Sequence, residues 1–206
     1  MKCLAAIVSL LASLCAVSAG AAEAPREVAG FALGQDIAKI SDRLLMTTVL
    51  PLRYQEYLEE VEIAPIPGLK SGLITYGTCL KPGRIVRIKL KYDDSSRSFY
   101  DALLARVKER FGKPTAYEGD PFHVVIDWKW SFVDPEGQSI TLHLSHNNRD
   151  TEEKFGNSVK LTWATAIDEE GRCFIERQPE EQQQSEEPRK TLKTMTADDW
   201  ERFTPH

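Results

Sequence analysis

Residues 122–133 read FHVVIDWKWSFV. Phe122, Val124, Ile126, Trp128, Trp130 and Phe132 share one parity; His123, Val125, Asp127, Lys129 and Ser131 share the other. Successive strand side chains point to opposite faces, so the stretch predicts a strand with both tryptophans turned toward a core. The pattern recurs at 139–146, with Ile140, Leu142 and Leu144 inward, and at 158–167, with Val159, Leu161, Trp163 and Ile167 inward. A turn at Asp134-Pro135-Glu136-Gly137 and a polar loop at 147–157 join the three into an antiparallel meander. Trp128, Trp130 and Trp163 are expected to be buried and Trp200 exposed.

The clearest strand of the first half is 84–92, where Val86, Ile88, Leu90 and Tyr92 oppose Arg87, Lys89 and Lys91. Further strands are read at 57–63 and 69–79, with a short strand and turn at 30–34. Helical spacing appears twice. Ile37, Ile40 and Leu44 predict a helix over 36–46, in a region closed by Pro51. Phe99, Leu103, Leu104, Val107 and Phe111 predict a buried face on a second helix over 96–111. Asp93-Asp94-Ser95-Ser96 supplies its caps, Gly112 suits a left-handed end, and Pro114 prevents continuation. Each helix precedes three candidate strands, without residue-level similarity between the units. The expected fold is α+β: one antiparallel sheet of about six strands with helices packed on one face, and a tandem helix-plus-three-strand repeat.

The ends read differently. Lys2, the uncharged apolar run 4–17 and the small residues up to Ala22 form a secretory leader over 1–21, cleaved after Ala19 or Ala21. The run is shorter than the ~20 residues that span a bilayer. Leu14 before Cys15 is bulky where a lipidated leader needs a small residue. A single domain is expected over 22–176. Residues 177–193 hold one large apolar residue, Leu192, and predict a disordered acidic and Gln-rich tail over 177–206. The tail ends in a short motif in which Trp200 and Phe203 share a face of a helix capped by Thr196.

Loss of the leader removes Lys2 and changes the formal charge from −5 to −6, which argues against nucleic acid as a partner. It also removes Cys3 and Cys15, leaving Cys79 and Cys173, an expected disulfide in an oxidising compartment. No Asn-x-Ser/Thr sequon occurs, which fits a bacterial periplasmic or secreted protein. His143 and His146 lie three apart on a strand, point to opposite faces and cannot chelate one ion, so neither a metal nor another cofactor is expected. Asp127, Lys129, Ser131, His143 and Ser145 share the polar face of one hairpin, with His143 opposite Asp127 or Lys129 depending on register. The face lacks the oxyanion hole of a triad, and the chain lacks Gly-x-Ser-x-Gly. Arg87, Lys89 and Lys91 align on one strand, and a continuous sheet would place Lys129 and Lys160 beside them. Edge protection by lysine and docking of an acidic partner both account for that alignment.

Arg110-Phe111-Gly112-Lys113-Pro114, a helix end written Gly-x-Pro, together with the strands over 122–167, resembles the tandem α/β modules of β-lactamase-inhibitor proteins and the small outer-membrane-assembly lipoproteins of the SmpA/OmlA type. The first helix lacks the motif, at Leu45-Met46-Thr47-Thr48. The resemblance implies a protein-binding or assembly role on an open sheet. The expected function is that of an envelope binding module whose partner is another envelope protein, held through Arg87, Lys89, Lys91, Lys129 and Lys160 or through Trp200 and Phe203. A hydrolase on the Asp127–His143 hairpin and a small-ligand carrier with a pocket between helix and sheet are the alternatives.

Overall fold

The alternating segments enter one eight-stranded antiparallel sheet in the computed structural model, which describes residues 23–147, 156–177 and 196–203. The expected leader and the tail over 178–195 lie outside the described residues. The strands are β1 (Glu27–Val28), β2 (Phe31–Ala32), β3 (Leu44–Leu52), β4 (Gln55–Ile63), β5 (Leu69–Gly77), β6 (Ile85–Tyr92), β7 (Ala116–Tyr117), β8 (Val125–Val133), β9 (Ser139–Asn147) and β10 (Gly156–Trp163). β1 and β2 form a separate ribbon. The large sheet runs β3-β4-β5-β6-β10-β9-β8-β7, two four-strand meanders joined where β10 returns to β6. The sheet therefore has eight strands, not six, and each unit carries four.

The two added strands have local causes. Residues 36–46 do not form one helix. Asp36 caps a 3-10 segment, Ile37–Arg43, by accepting from the Ala38 N–H at 2.9 Å, and the backbone leaves helical geometry at Ile40. Thr47, Thr48 and Val49 then favour extended backbone, and Leu44 pairs with Ile63. Pro51 is tolerated because β3 is an edge strand. The β3–β4 register jumps between Leu45↔Glu62 and Leu50↔Glu60. Thr48 bridges the gap, accepting from Glu62 N–H at 3.0 Å and donating to Leu45 O at 2.8 Å. Such an irregular edge is a poor template for a foreign strand. β7 is the short second edge.

The helix α1 (Arg97–Phe111) forms as its caps dictate: Ser96 Oγ accepts from Phe99 N–H at 3.2 Å, and Gly112 takes φ +76°. Its packing differs from the spacing argument. Tyr100 is its fully buried residue, with its hydroxyl 3.5 Å from Leu144 O, while Leu103, Leu104, Val107 and Phe111 are half-buried against the core. Trp130 is 1% exposed and donates from Nε1 to Gly112 O at 3.0 Å, so the helix end is tied to β8. Trp128 and Trp163 are half-buried. Phe122, expected inward, is 86% exposed. β8 begins only at Val125, because the Asp120 carboxylate accepts from the Phe122 and Val125 N–H groups and holds 120–125 as a turn.

The strand expected over 158–167 stops at Trp163, and α2 (Ala164–Arg177) follows without a break. Its small core comprises Ala166 and Ile167 against Leu58 and Val86. Val86 was expected beside Ile88. A register shift between Thr75↔Arg87 and Tyr76↔Ile85 turns it toward α2 instead. A Cβ on Gly77 would lie 2.3 Å from the Glu170 carboxyl carbon, so α2 covers the Gly77 end of the polar face of the sheet. The helices thus pack on separate clusters rather than on one shared face. The Cys79–Cys173 disulfide pins α2 to the loop after β5.

Candidate functional site: the polar face of the sheet

The pairing of β10 with β6 makes the sheet continuous, and its register lines up polar side chains in rows. One row reads Thr75, Arg87, Thr162, Thr141, Ser131. The next reads Leu73, Lys89, Lys160, His143, Lys129. The third reads Lys91, Ser158, Ser145, Asp127. All five cations read from the sequence, Arg87, Lys89, Lys91, Lys129 and Lys160, fall on this face, and each is half-buried rather than fully exposed. Lys89 and Lys160 stand directly opposite one another.

The register resolves the His143 alternatives. Its backbone opposes Lys129 on one side and Lys160 on the other, while the ring reaches diagonally to Asp127. His143 Nδ1 lies 3.2 and 3.3 Å from the two Asp127 oxygens and 3.7 Å from Glu118 Oε2, and the residue is 6% exposed. Glu118, between β7 and β8, accepts from Lys129 Nζ at 2.8 Å. That hydrogen bond holds the Glu118 carboxyl below its ordinary pKa. Sequence reasoning missed Glu118, because nothing local connects residue 118 to residues 127 and 143.

Ligand atoms of Glu118, Asp127 and His143, which sequence spacing does not bring together, lie within 4.8 Å of one another. Their surroundings suit an ion-paired network better than a cation. Lys129 already engages Glu118, and the next strand places Lys160 opposite His143, so a metal would sit beside two ammonium groups. His146 is on the other face, where its Nδ1 meets Asn157 Oδ1 at 2.7 Å and its ring lies 5.2 Å from Tyr100. Among the described residues no hydroxyl hydrogen-bonds to His143 Nε2, the position a triad nucleophile would take.

Burial lowers the pKa of Arg87, with the Glu60 carboxylate opposing the shift. Burial also lowers that of Lys160. Asp127 opposes that shift, Arg87 and Lys89 reinforce it, and Glu118 opposes it. Work has been done to hold these cations on the face, since water would solvate them better.

Two open clefts border the other side of the domain. One, about 650 Å³, lies among Phe111, Lys113, Trp130, Phe132 and Asp134. The second, about 370 Å³, runs between α1 (Leu103, Val107) and the sheet (Leu142, Val159, Leu161). Glu23 and Ala24 border both. In the tail, residues Ala197–Phe203 form a short helix after Thr196, and Trp200 is 47% exposed. The Phe203 side chain lies outside the description.

No family of known proteins, no curated relative and no solved structure matches this chain.

Proposed function

We propose that this chain is an exported envelope binding module whose polar sheet face docks an acidic segment of another protein. The observation that carries the reading is the row Lys89, Lys160, His143, Lys129 across four adjacent strands. Edge protection accounts for lysines on outer strands, but β6 and β10 are the two central strands of the sheet. Cations kept there in an acidic chain have a use other than blocking an edge. The sequence resemblance at Arg110-Phe111-Gly112-Lys113-Pro114 to the tandem modules of β-lactamase-inhibitor proteins points to the same role.

The test is capture from envelope extract with the mature chain as bait. Wild type should retain a protein with an acidic surface, released by salt. Lys89→Glu with Lys129→Glu should lose it, and a chain ending at Arg177 should keep it. Capture that survives the charge reversal but not the truncation moves the interaction to the Trp200 segment and ends the sheet-face reading.

The Asp127–His143 contact favours a second reading, a hydrolase in which His143 acts as a base. Turnover of activated esters that disappears in His143→Ala, with the fold retained, would establish it.

A further inference from the structure

We propose that Lys89, Lys160, Ser145 and Ser158 form a binding site for a phosphate-type dianion. Lys160 faces Lys89 across β10 and β6, and in the neighbouring row Ser158 faces Ser145. These four side chains, with Lys91, Val125, Asn147 and Gly156, border one depression of about 220 Å³. That is several times the ~30 Å³ a water molecule takes in the liquid, so a multi-atom oxyanion fits with water to spare.

The charge arrangement identifies the ligand. Like charges directly opposite on a sheet repel, and this pair lies at the junction of the two meanders, where both backbones are held on each side. Asp127 and Glu118 make their short contacts with His143 and Lys129 and reach Lys160 only at longer range. Among the described residues, neither Lys89 nor Lys160 has a carboxylate oxygen within 4 Å of its ammonium nitrogen. Burial disfavours the charged form of Lys160; Asp127 opposes that effect, Arg87 and Lys89 reinforce it, and Glu118 opposes it. An anion in the depression would relieve that repulsion. The opposed Lys89 and Lys160, with Lys91 beside them, suit a ligand with two negative charges; a phosphate monoester carries these above its second pKa of about 6, inorganic phosphate at somewhat higher pH, and a single carboxylate not at all. Lysine binds such a group as a point charge, and the two serine hydroxyls can donate to its remaining oxygens. The acidic charge of the whole chain is screened over about 8–10 Å at ordinary ionic strength, so the local cations govern binding.

This site does not depend on protein docking. Phosphate binding with no captured partner would sink only the docking proposal; a captured partner with no phosphate binding would sink only this one. The experiment is a titration of the ¹⁵N-labelled mature chain with inorganic phosphate at constant ionic strength and mildly alkaline pH, where both the free ion and its monoester are dianions. Saturable shifts should centre on the amides of residues 89–91, 145 and 158. Lys160→Met and, separately, Lys89→Met should weaken binding on the order of tenfold or more, as loss of a charged hydrogen bond does. The exposed Lys39→Met should leave it unchanged. The variants' own spectra report whether each is folded, and the wild-type shift map stands without them. A parallel titration with glycerol phosphate separates the sources: comparable affinity points to an ester-borne phosphate, and much weaker affinity to the free ion. Shifts that chloride reproduces, shifts that map elsewhere, no saturation, or wild-type affinity in a folded Lys160→Met chain would each overturn the assignment.

Discussion

Glu170 Oε1 lies 3.3 Å from Arg84 Nη2, joining a fully buried carboxylate on α2 to a residue 86 positions earlier in the chain. The same carboxylate accepts from three consecutive backbone N–H groups: Cys79 at 2.9 Å, Leu80 at 2.7 Å and Lys81 at 2.9 Å. Arg84 also reaches Glu169 at 3.2 Å and lies 5.3 Å from the Trp163 ring. One glutamate therefore serves as cap, ion-pair partner and clamp for the loop between β5 and β6.

Glu170→Ala should be among the most damaging single changes. It removes the acceptor of three backbone N–H groups, of which that of Cys79 is buried, and leaves the 7%-exposed Arg84 with Glu169 alone. Breaking a buried pair in this way costs roughly 3–5 kcal/mol, read as a lowered urea midpoint. Glu170→Gln keeps part of the backbone cap and should lose less. Near-wild-type stability in the alanine variant would show that water replaces the clamp.

Reduction should destabilise the fold. The Cys79–Cys173 bridge spans a sequence separation of 94, for which chain entropy gives roughly 4–5 kcal/mol. Thiol titration of the unfolded, unreduced chain without residues 1–21 should find no free thiol. Cys173 and Glu170 hold the same loop, so Cys79→Ser with Cys173→Ser and Glu170→Ala should combine non-additively in a double-mutant cycle.

Trp130→Ala removes a fully packed ring and the hydrogen bond to Gly112 O. Denaturant unfolding should register a loss of roughly 3–5 kcal/mol. A variant that melts like the parent would remove Trp130 from the core.

Lys160→Met should stabilise the unliganded chain by roughly 0.2–1 kcal/mol, because it removes a like-charge cross-strand pair. The pH dependence has a definite sign. The folded-state pKa of Lys160 is lowered from 10.5 by burial, reinforced by Arg87 and Lys89 and opposed by Asp127 and Glu118. The unfolded chain therefore binds the proton more tightly. Its penalty is fully present below the folded pKa and fades as pH rises through that value toward 10.5. The stability gap between Lys160→Met and wild type should accordingly narrow on the alkaline side. A gap independent of pH would remove Lys160 as the titrating group.

Much of the second half was legible in advance. The alternation within 122–133, 139–146 and 158–167 marks Ile126, Trp130, Ile140, Leu142, Leu144, Val159 and Leu161 as core residues, although the strands themselves run over 125–133, 139–147 and 156–163, and the Ser96 and Gly112 caps set the ends of α1. These signals are local, with periods of two or 3.6 residues and cap chemistry within one turn. The pairing of Cys79 with Cys173 follows from arithmetic alone if residues 1–21 are read as a leader. Residues 36–52 misled because Ile37, Ile40 and Leu44 imitate helical spacing, while the pairing of Leu44 with Ile63 decides the outcome. α2 was missed because Trp163 and Ile167 continue a strand-like parity, although Ala166, Ile167 and Cys173 pack as a helical face.

Alternation by itself placed Arg87, Lys89, Lys91, Lys129 and Lys160 on polar sides of their strands. Only tertiary structure put them on one face, by returning β10 to β6. Strand order and register are closed by hydrogen bonds between residues some seventy positions apart, and a period of two carries no information about which partner is chosen or at what offset. The opposition of Lys89 to Lys160, the approach of Glu118 to His143 and the clamp of Glu170 on the 79–81 backbone all depend on that long-range choice.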